Sequence, residues 1–185
     1  RILLKVEPKN ILFSSYGIRE GILFDKLDDN QKNEDSLIVY CNEIAKNESR
    51  FYKNITEFYK WLLPIFSDFP NTELRLIKAV CLLSDIAWKI HPNFRAEFAL
   101  KRSIYAPFVE VDHLERTYIA KALFKRYRGD SEKNNEYNIL KSDNLNRAYI
   151  VGAALDFAYL ISGGASIDIS DCKLFFEGKY ICFTL

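Results

Sequence analysis

The chain has 185 residues, with 26 Lys and Arg against 25 Asp and Glu, 49% apolar residues and 28% charged residues. This composition is typical of a globular domain and excludes a disordered chain and a disulfide-rich mini-protein. A formal net charge of +1 gives no general argument for a polyanionic partner, so any such site has to be local.

The first part of the chain is a short apolar piece followed by a polar stretch. The run Ile11-Leu12-Phe13 predicts a buried strand, and the apolar residues after it predict a helix that starts near Ile18. The stretch from Lys26 to Asp35 is polar and aperiodic, which makes it the best candidate for a domain boundary. We therefore predict a strand-helix piece and connector over 1–30, a helical domain over 31–164 and a small β element over 165–185.

Helical periodicity dominates after this boundary, where apolar residues recur at spacings of three and four. Ser36 and Asn54 are the predicted N-caps of the first two helices. Asp112 and Glu115 form a capping box at the start of the fifth helix, and Gly163 follows the end of the sixth. The predicted helices begin near residues 36 and 54 and then run from Thr72 to Trp88, from Asn93 to Tyr105, from Asp112 onward and from Asn144 to Ile161.

The last twenty residues change to the alternating period of strands. We predict strands over Ser166 to Ile169, Lys173 to Phe176 and Lys179 to Thr184, the last two joined by a turn at Glu177-Gly178. The predicted fold class is therefore mainly α, in an α+β arrangement that ends in a small antiparallel sheet.

The four cysteines have no C-x-x-C spacing, which argues against a zinc site and against a redox motif. A turn at Glu177-Gly178 places Cys182 opposite Lys173 and not opposite Cys172. We therefore predict buried free thiols, as is usual in a reducing compartment. No window is as apolar as a membrane span or a signal peptide, so we expect a soluble, cytoplasmic chain.

The charges are distributed unevenly along the chain. The net charge is −5 between Glu20 and Glu48 and +5 between Lys89 and Arg128. Guanidinium and ammonium groups on helices are suited to hold a polyanion without reading a sequence, although such groups often only face solvent and can also form a dimer contact. The candidate polyanion-binding residues are Arg95, Lys101, Arg102, Arg116, Lys125 and Arg126.

Three passages resemble the Ppx/GppA phosphatase family of exopolyphosphatases and guanosine pentaphosphate phosphohydrolases. Ser15 to Gly21 resembles the signature G-[LI]-R-E-G, and Leu82 to Glu97 resembles the central passage LLSDIGW-x-x-HP-x-[YF]-R-x-E. Val111 to Arg116, followed by Arg126 to Gly129, is similar to the segments [IV]DH-x-x-R and RY-x-G. The order and spacing of the three passages agree with the family.

The resemblance implies a two-part enzyme, in which an actin-like, magnesium-dependent phosphatase domain precedes a helical domain related to HD phosphohydrolases. Residues 1–30 would then be the last strand and helix of an actin-like lobe. The chain begins with Arg1 and contains no Met, so we expect a piece of a longer protein with the catalytic residues upstream. The chain itself is then predicted to bind no cofactor, to be inactive alone, and to serve substrate retention and homodimer formation for hydrolysis of polyphosphate or pppGpp.

Asp85 lies where an HD phosphohydrolase has its histidine-aspartate pair, but the preceding residue is Ser84. Asp85 is either a surviving metal ligand or a buried carboxylate bound to a helix terminus or an arginine, and the shortage of ligands favours the second reading. The histidines, His91 and His113, have no neighbouring nucleophile and are predicted to be structural or exposed. No metal site is therefore predicted.

The signature Gly17, Arg19, Glu20 and Gly21 either faces a catalytic cleft or clasps the helical domain to the preceding lobe. Its flanking glycines suggest a constrained backbone and favour the clasp. Two other classes of function stay open for the chain. A metal-dependent HD-type phosphohydrolase requires bound metal near Asp85, and a nucleic-acid-binding helical module, which we consider the weaker alternative, requires a base preference.

Overall fold

A computed structural model describes residues 1–11, 16–129, 136–178 and 180–184. These residues are mainly helical and end in a two-stranded antiparallel sheet, so the predicted fold class is confirmed. The chain divides into two compact units, Arg1–Glu34 and Asp35–Leu185. The domain boundaries predicted at residues 30 and 164 remain predictions. None of the described helices is long and apolar enough to cross a lipid bilayer.

The first unit contains helices α1 (Ile2–Val6), α2 (Ile18–Asp25) and α3 (Asp29–Lys32). Helix α2 confirms the helix predicted near Ile18. The strand predicted at Ile11-Leu12-Phe13 extends into residues 12–15, which lie outside the described residues, and Ile11 itself belongs to no strand.

The second unit is built around a core shared by several helices. Its fully buried side chains include Leu37, Phe58, Ile77, Ile119 and Leu155, one from each of five helices. The helix His113–Arg128 contacts three of the others, Asn71–Leu82, Arg95–Tyr105 and Ser142–Ile161. The helices are α4 (Ser36–Glu48), α5 (Tyr52–Leu62), α6 (Asn71–Leu82), α7 (Arg95–Tyr105), α8 (His113–Arg128) and α9 (Ser142–Ile161), with 3-10 helices at Leu63–Phe66 and Pro92–Phe94.

Helices α8 and α9 approach each other most tightly at Gly152. A Cβ atom at this position would lie 2.3 Å from the Ala122 carbonyl oxygen and 2.7 Å from the Lys125 Cβ. Only a glycine permits this approach, because any side chain would push the two backbones apart. The approach brings Arg126 of α8 against Tyr159 of α9.

Two predicted caps and one helix end are wrong. The N-cap of α4 is Asp35, whose carboxylate accepts hydrogen bonds from the amides of Leu37 and Ile38. Ser36 is the first helical residue. Asn54 lies inside α5, where its side chain donates to the Ala165 carbonyl. Helix α6 ends at Leu82 rather than Trp88, and the chain continues in successive turns. By contrast, the capping box of Asp112 and Glu115 is confirmed at α8.

The C-terminal hairpin joins β1 (Lys173–Glu177) to β2 (Tyr180–Thr184) in antiparallel register. Glu177 pairs with Tyr180, so Glu177 belongs to β1 and not to the turn as predicted. Gly178 has a φ of 60°, which suits a glycine. Residue 179, the first of the predicted last strand, lies outside the described residues. The segment from Ser166 to Ile169 is irregular and forms no strand, and Ser162 binds the Ala165 and Ile167 amides that follow α9.

The strand register also shows which residue lies opposite Cys182 in the hairpin. Cys182 pairs with Phe175, and Lys173 pairs with Thr184, so the predicted neighbour of Cys182 is wrong. All four cysteines are free, as predicted, but only Cys41 and Cys81 are buried, and the predicted burial is wrong for Cys172 and Cys182. Burial raises the pKa of the Cys41 thiol to about 12, which makes it a poor nucleophile.

Candidate functional site

The turns after α6 carry Asp85, a fully buried carboxylate. Arg50, just after α4, donates to it three times: its backbone N and Nε each lie 3.0 Å from Oδ2, and its Nη2 lies 2.6 Å from Oδ1. The hydrogen bond with Asp85 raises the pKa of Arg50 further. Both carboxylate oxygens are thus bound to one arginine, which is one of the two partners expected from the sequence.

This arrangement does not fit a metal ion at Asp85, because the ligand oxygens already bind a guanidinium. The two histidines do not converge on it: both are exposed, and His91 Nδ1 accepts a hydrogen bond from the Asn93 amide at the start of a 3-10 helix. Within the described ranges, no three His, Cys, Asp or Glu side chains come together as they do in metal sites.

Trp88, in the same turns, is the centre of a cluster of cations. Its indole Nε1 donates to the Glu48 carbonyl at 2.7 Å, which fixes the ring against the end of α4. The Arg50 Cζ lies 5.6 Å and the Lys89 Nζ 5.3 Å from the ring centroid. Arg95 donates to the Trp88 carbonyl at 2.9 Å, so a third cation is held beside the same residue.

A fourth cation reaches this cluster from α7. Arg102 forms a two-fold ion pair with the Glu48 carboxylate, in which Nη1 lies 2.5 Å from Oε2. We call Arg50, Lys89, Arg95 and Arg102 the Trp88 patch. Its cations outnumber the two carboxylates they contact, Asp85 and Glu48, and the side chains of Arg50 and Arg102 are 32% and 33% exposed. The patch therefore presents excess positive charge to solvent.

Arg126 lies next to these residues but inside the protein, with an exposed fraction of 9%. Its Cζ is 3.7 Å from the ring centroid of Tyr159 and 4.2 Å from that of Tyr127. The Tyr159 hydroxyl is 2.9 Å from the Ser84 Oγ, and the Tyr127 hydroxyl accepts from the Ala87 amide. Both rings are thus anchored to the turns that carry Asp85. Burial raises the pKa of both phenols.

The remaining predicted cations have other surroundings. Arg116 donates to the carbonyls of Ile104 and Ala106 at the end of α7, and Lys125 donates to the Gly129 carbonyl at 2.6 Å. Lys101 is exposed on α7. The structure thus binds Arg95 to the Trp88 carbonyl and Arg102 to Glu48, and it buries Arg126 against two tyrosines. It uses Arg116 and Lys125 at helix ends, where orphan carbonyls need donors.

Sequence reasoning missed Arg50 and Trp88 as site residues, whereas Lys89 belongs to the basic segment that it selected. A single arginine after a helix has no periodic signal, and its partner Asp85 lies 35 positions along the chain. The one available signal was the buried carboxylate itself, since such a group requires a cation or several donors nearby.

The signature residues lie in the first unit, at the start of α2. The Gly17 amide donates to the Glu20 carboxylate at 2.7 Å, and this contact lowers the pKa of Glu20. Arg19 is exposed. Neither Gly17 nor Gly21 has a positive φ, so a left-handed backbone does not require these glycines. The clasp remains a prediction.

A second polar cluster lies in a cleft of about 250 Å³ at the starts of α6, α8 and α9. Arg147 Nη1 is 2.8 Å from the Glu73 Oε2, while the buried Glu73 Oε1 and the Tyr118 hydroxyl have no hydrogen bond of normal geometry to described residues. Burial, and then the neighbouring Glu73, raise the pKa of Tyr118.

Comparison with known proteins identifies the helical unit. A search of curated proteins finds no match. The family of exopolyphosphatase C-terminal domains matches residues 37–177, which is more than half of the chain and includes Asp85, the Trp88 patch and Arg126. The chain therefore belongs to the exopolyphosphatase C-terminal domain family.

Proposed function

We propose that the unit Asp35–Leu185 retains inorganic polyphosphate for an exopolyphosphatase, which releases the terminal phosphate in a separate catalytic domain. The observation that carries this proposal is the excess of cations around Trp88. The family supports polyphosphate as the substrate, and pppGpp is the second candidate because it presents the same terminal phosphates.

The chemistry of the patch suits a chain of phosphates. Polyphosphate has about one negative charge per phosphate, and guanidinium groups bind phosphate oxygens through paired N–H donors. The patch joins cations from three separate segments, the residues after α4, the turns after α6 and helix α7, so successive phosphates can meet successive cations. Such binding weakens as salt rises, because released counterions supply much of its free energy.

We further propose that hydrolysis does not take place at Asp85. Both oxygens of this carboxylate bind Arg50, so it is not available to hold a metal or to accept a proton. Magnesium and the catalytic groups belong to the catalytic domain in this proposal. A purified chain is then expected to release no phosphate from polyphosphate or pppGpp with magnesium, and release that survives further purification would contradict this.

Binding of polyphosphate tests the retention role directly. We expect Lys89→Gln to weaken polyphosphate binding several-fold at low salt and to reduce the slope of log K against log salt by roughly one. Lys60→Gln is the matched control, since Lys60 is exposed on α5 and pairs with Glu57. Equal affinities of the two variants would overturn the proposal. Lys101→Gln tests whether the predicted track continues along α7.

Three finer expectations belong to the same proposal. Homodimer formation predicts a sedimentation coefficient that rises with protein concentration. Competition by RNA that depends on base composition would favour a nucleic-acid-binding module over the charge-based account. A cytoplasmic location is expected for an enzyme that acts on polyphosphate, and fractionation of the source cells measures it.

A further inference from the structure

The guanidinium of Arg126 lies against two aromatic rings. The Tyr159 and Tyr127 rings lie 3.7 Å and 4.2 Å from its Cζ. The N–H bonds of a guanidinium lie in its plane, so contacts with rings do not satisfy its donors. The Nε is buried and has no hydrogen-bond partner among the described residues.

The polar groups around Arg126 are already committed to other partners. The Asp85 carboxylate binds Arg50 through both oxygens. Ser84 donates to the Cys81 carbonyl at 2.6 Å, so the Tyr159 hydroxyl donates to Ser84 and is occupied as well. These contacts leave Arg126 without an anion, although stacking on two tyrosines partly stabilises its charge.

Arg126 and Arg50 lie in one electrostatic environment. Arg126 and Asp85 both influence the pKa values of Tyr127 and Tyr159, and the pKa of Arg50 responds to the same two tyrosines. Around this pair of rings, two guanidiniums face one carboxylate. A buried cation and an orphan N–H donor are both costly, and a single oxyanion would satisfy both at once.

We propose that Arg126 binds one tetrahedral oxyanion, a single phosphate group of polyphosphate, in a subsite next to the Trp88 patch. The edge formed by Nε and one Nη matches two oxygens of a phosphate group. Arg126 is 9% exposed and the adjacent Tyr127 is half-buried, so this position lies close to solvent. The choice of polyphosphate rests on the proposed function, whereas the oxyanion site does not.

The side-chain Nε–H resonance of Arg126 in ¹⁵N-labelled protein tests the subsite, with inorganic phosphate, tripolyphosphate and chloride at matched ionic strength as probes. We expect phosphate and tripolyphosphate to shift this resonance saturably and chloride to leave it unchanged. Arg126→Lys keeps the charge but loses the paired N–H donors of the guanidinium. Its missing signal assigns the resonance, and the variant is expected to bind phosphate at least ten-fold more weakly. A resonance that none of the anions shifts would overturn the subsite, and this result needs only the unmodified protein.

The matched control is Arg147→Lys, the same change at an arginine that lies 5.2 Å from the Phe69 ring and is paired with Glu73. It is expected to leave the phosphate response of Arg126 intact, and an equal loss in both variants would contradict a specific subsite. Lys89→Gln separates the two proposals. If phosphate shifts the Arg126 resonance but the protein binds no polyphosphate, the retention role alone is contradicted. If Arg126→Lys leaves polyphosphate binding unchanged, the subsite alone is contradicted.

Discussion

The turns around Asp85 and the cleft around Glu73 contain the same types of group, a carboxylate, an arginine and a buried tyrosine. At Asp85 both carboxylate oxygens bind Arg50. At Glu73 one oxygen binds Arg147, and the other is buried beside the Tyr118 hydroxyl without a hydrogen bond of normal geometry to a described residue. The first place has a surplus of donors, since Arg126 lies nearby, and the second has a surplus of acceptors.

This difference shows that residue types alone do not decide what a polar cluster binds. The balance of donors and acceptors depends on which groups already satisfy each other. A surplus of cationic donors favours an anion, as we propose at Arg126, whereas a carboxylate with an uncommitted oxygen repels one. Three experiments examine this contrast, in order of decreasing effect.

The largest expected effect comes from removing the two carboxylates. We expect Asp85→Ala to lower the free energy of unfolding by about 3 kcal/mol, because it leaves the Arg50 guanidinium without its anion. This value is at the low end for a buried ion pair, since the Arg50 side chain is partly exposed. Glu73→Ala should cost about 1 kcal/mol, because Arg147 is more exposed. Urea unfolding followed by circular dichroism measures both.

Asp171→Ala, at an exposed turn residue, is the control and should change the free energy of unfolding by less than about 0.5 kcal/mol. Equal losses for Asp85→Ala and Glu73→Ala would remove the contrast between the two places.

The second effect is a loss of stability at alkaline pH that both places share. Burial raises the pKa values of Tyr118 and Tyr159, so the folded protein keeps phenol protons that the unfolded chain loses above about pH 10. Their contribution to stability is therefore complete below pH 10 and falls as the pH rises, by at most about 1.4 kcal/mol per pH unit for each tyrosine. Urea unfolding between pH 9 and 11 measures the slope.

Tyr118→Phe and Tyr159→Phe should each reduce this alkaline slope, since phenylalanine has no proton to lose. A slope that neither variant changes would show that other groups control the alkaline transition.

The smallest effect separates the two tyrosines at neutral pH. Tyr159→Phe removes a hydrogen bond with Ser84 and should cost about 1 kcal/mol. Tyr118→Phe removes a hydroxyl that has no well-formed hydrogen bond to a described residue, so its cost should be below about 0.5 kcal/mol. Thermal unfolding of the two variants, each with its buried ring retained, makes the comparison, and a larger cost for Tyr118→Phe would contradict it.

The reliable predictions from sequence are those that depend on local chemistry. The capping box of Asp112 and Glu115 and the helix that ends before Gly163 follow from contacts within a few residues, and both are observed. The extension of the third helix to Trp88 is wrong because an apolar run has no local stop signal. The helix ends where Ser84 donates to the Cys81 carbonyl and Asp85 binds Arg50 from another segment.

The candidate site was partly predictable for the same reason. Arg95 and Arg102 were selected as cations of a charged segment, and they lie in the Trp88 patch. Arg116, selected on the same ground, binds carbonyls at the end of α7 instead. Charge along a sequence shows where cations are concentrated, but not which of them are consumed by nearby backbone acceptors.

The sequence by itself determined the helical class, the terminal hairpin, the free thiols and the likeness to exopolyphosphatases, because periodicity, caps and short motifs are properties of neighbouring residues. Only the tertiary structure decided that Arg50 neutralises Asp85 and that Arg126 is buried against two tyrosines. These outcomes depend on the close approach of α8 and α9 at Gly152 and on contacts between distant segments. The free energy of a buried charge is set by such contacts, which no local pattern records.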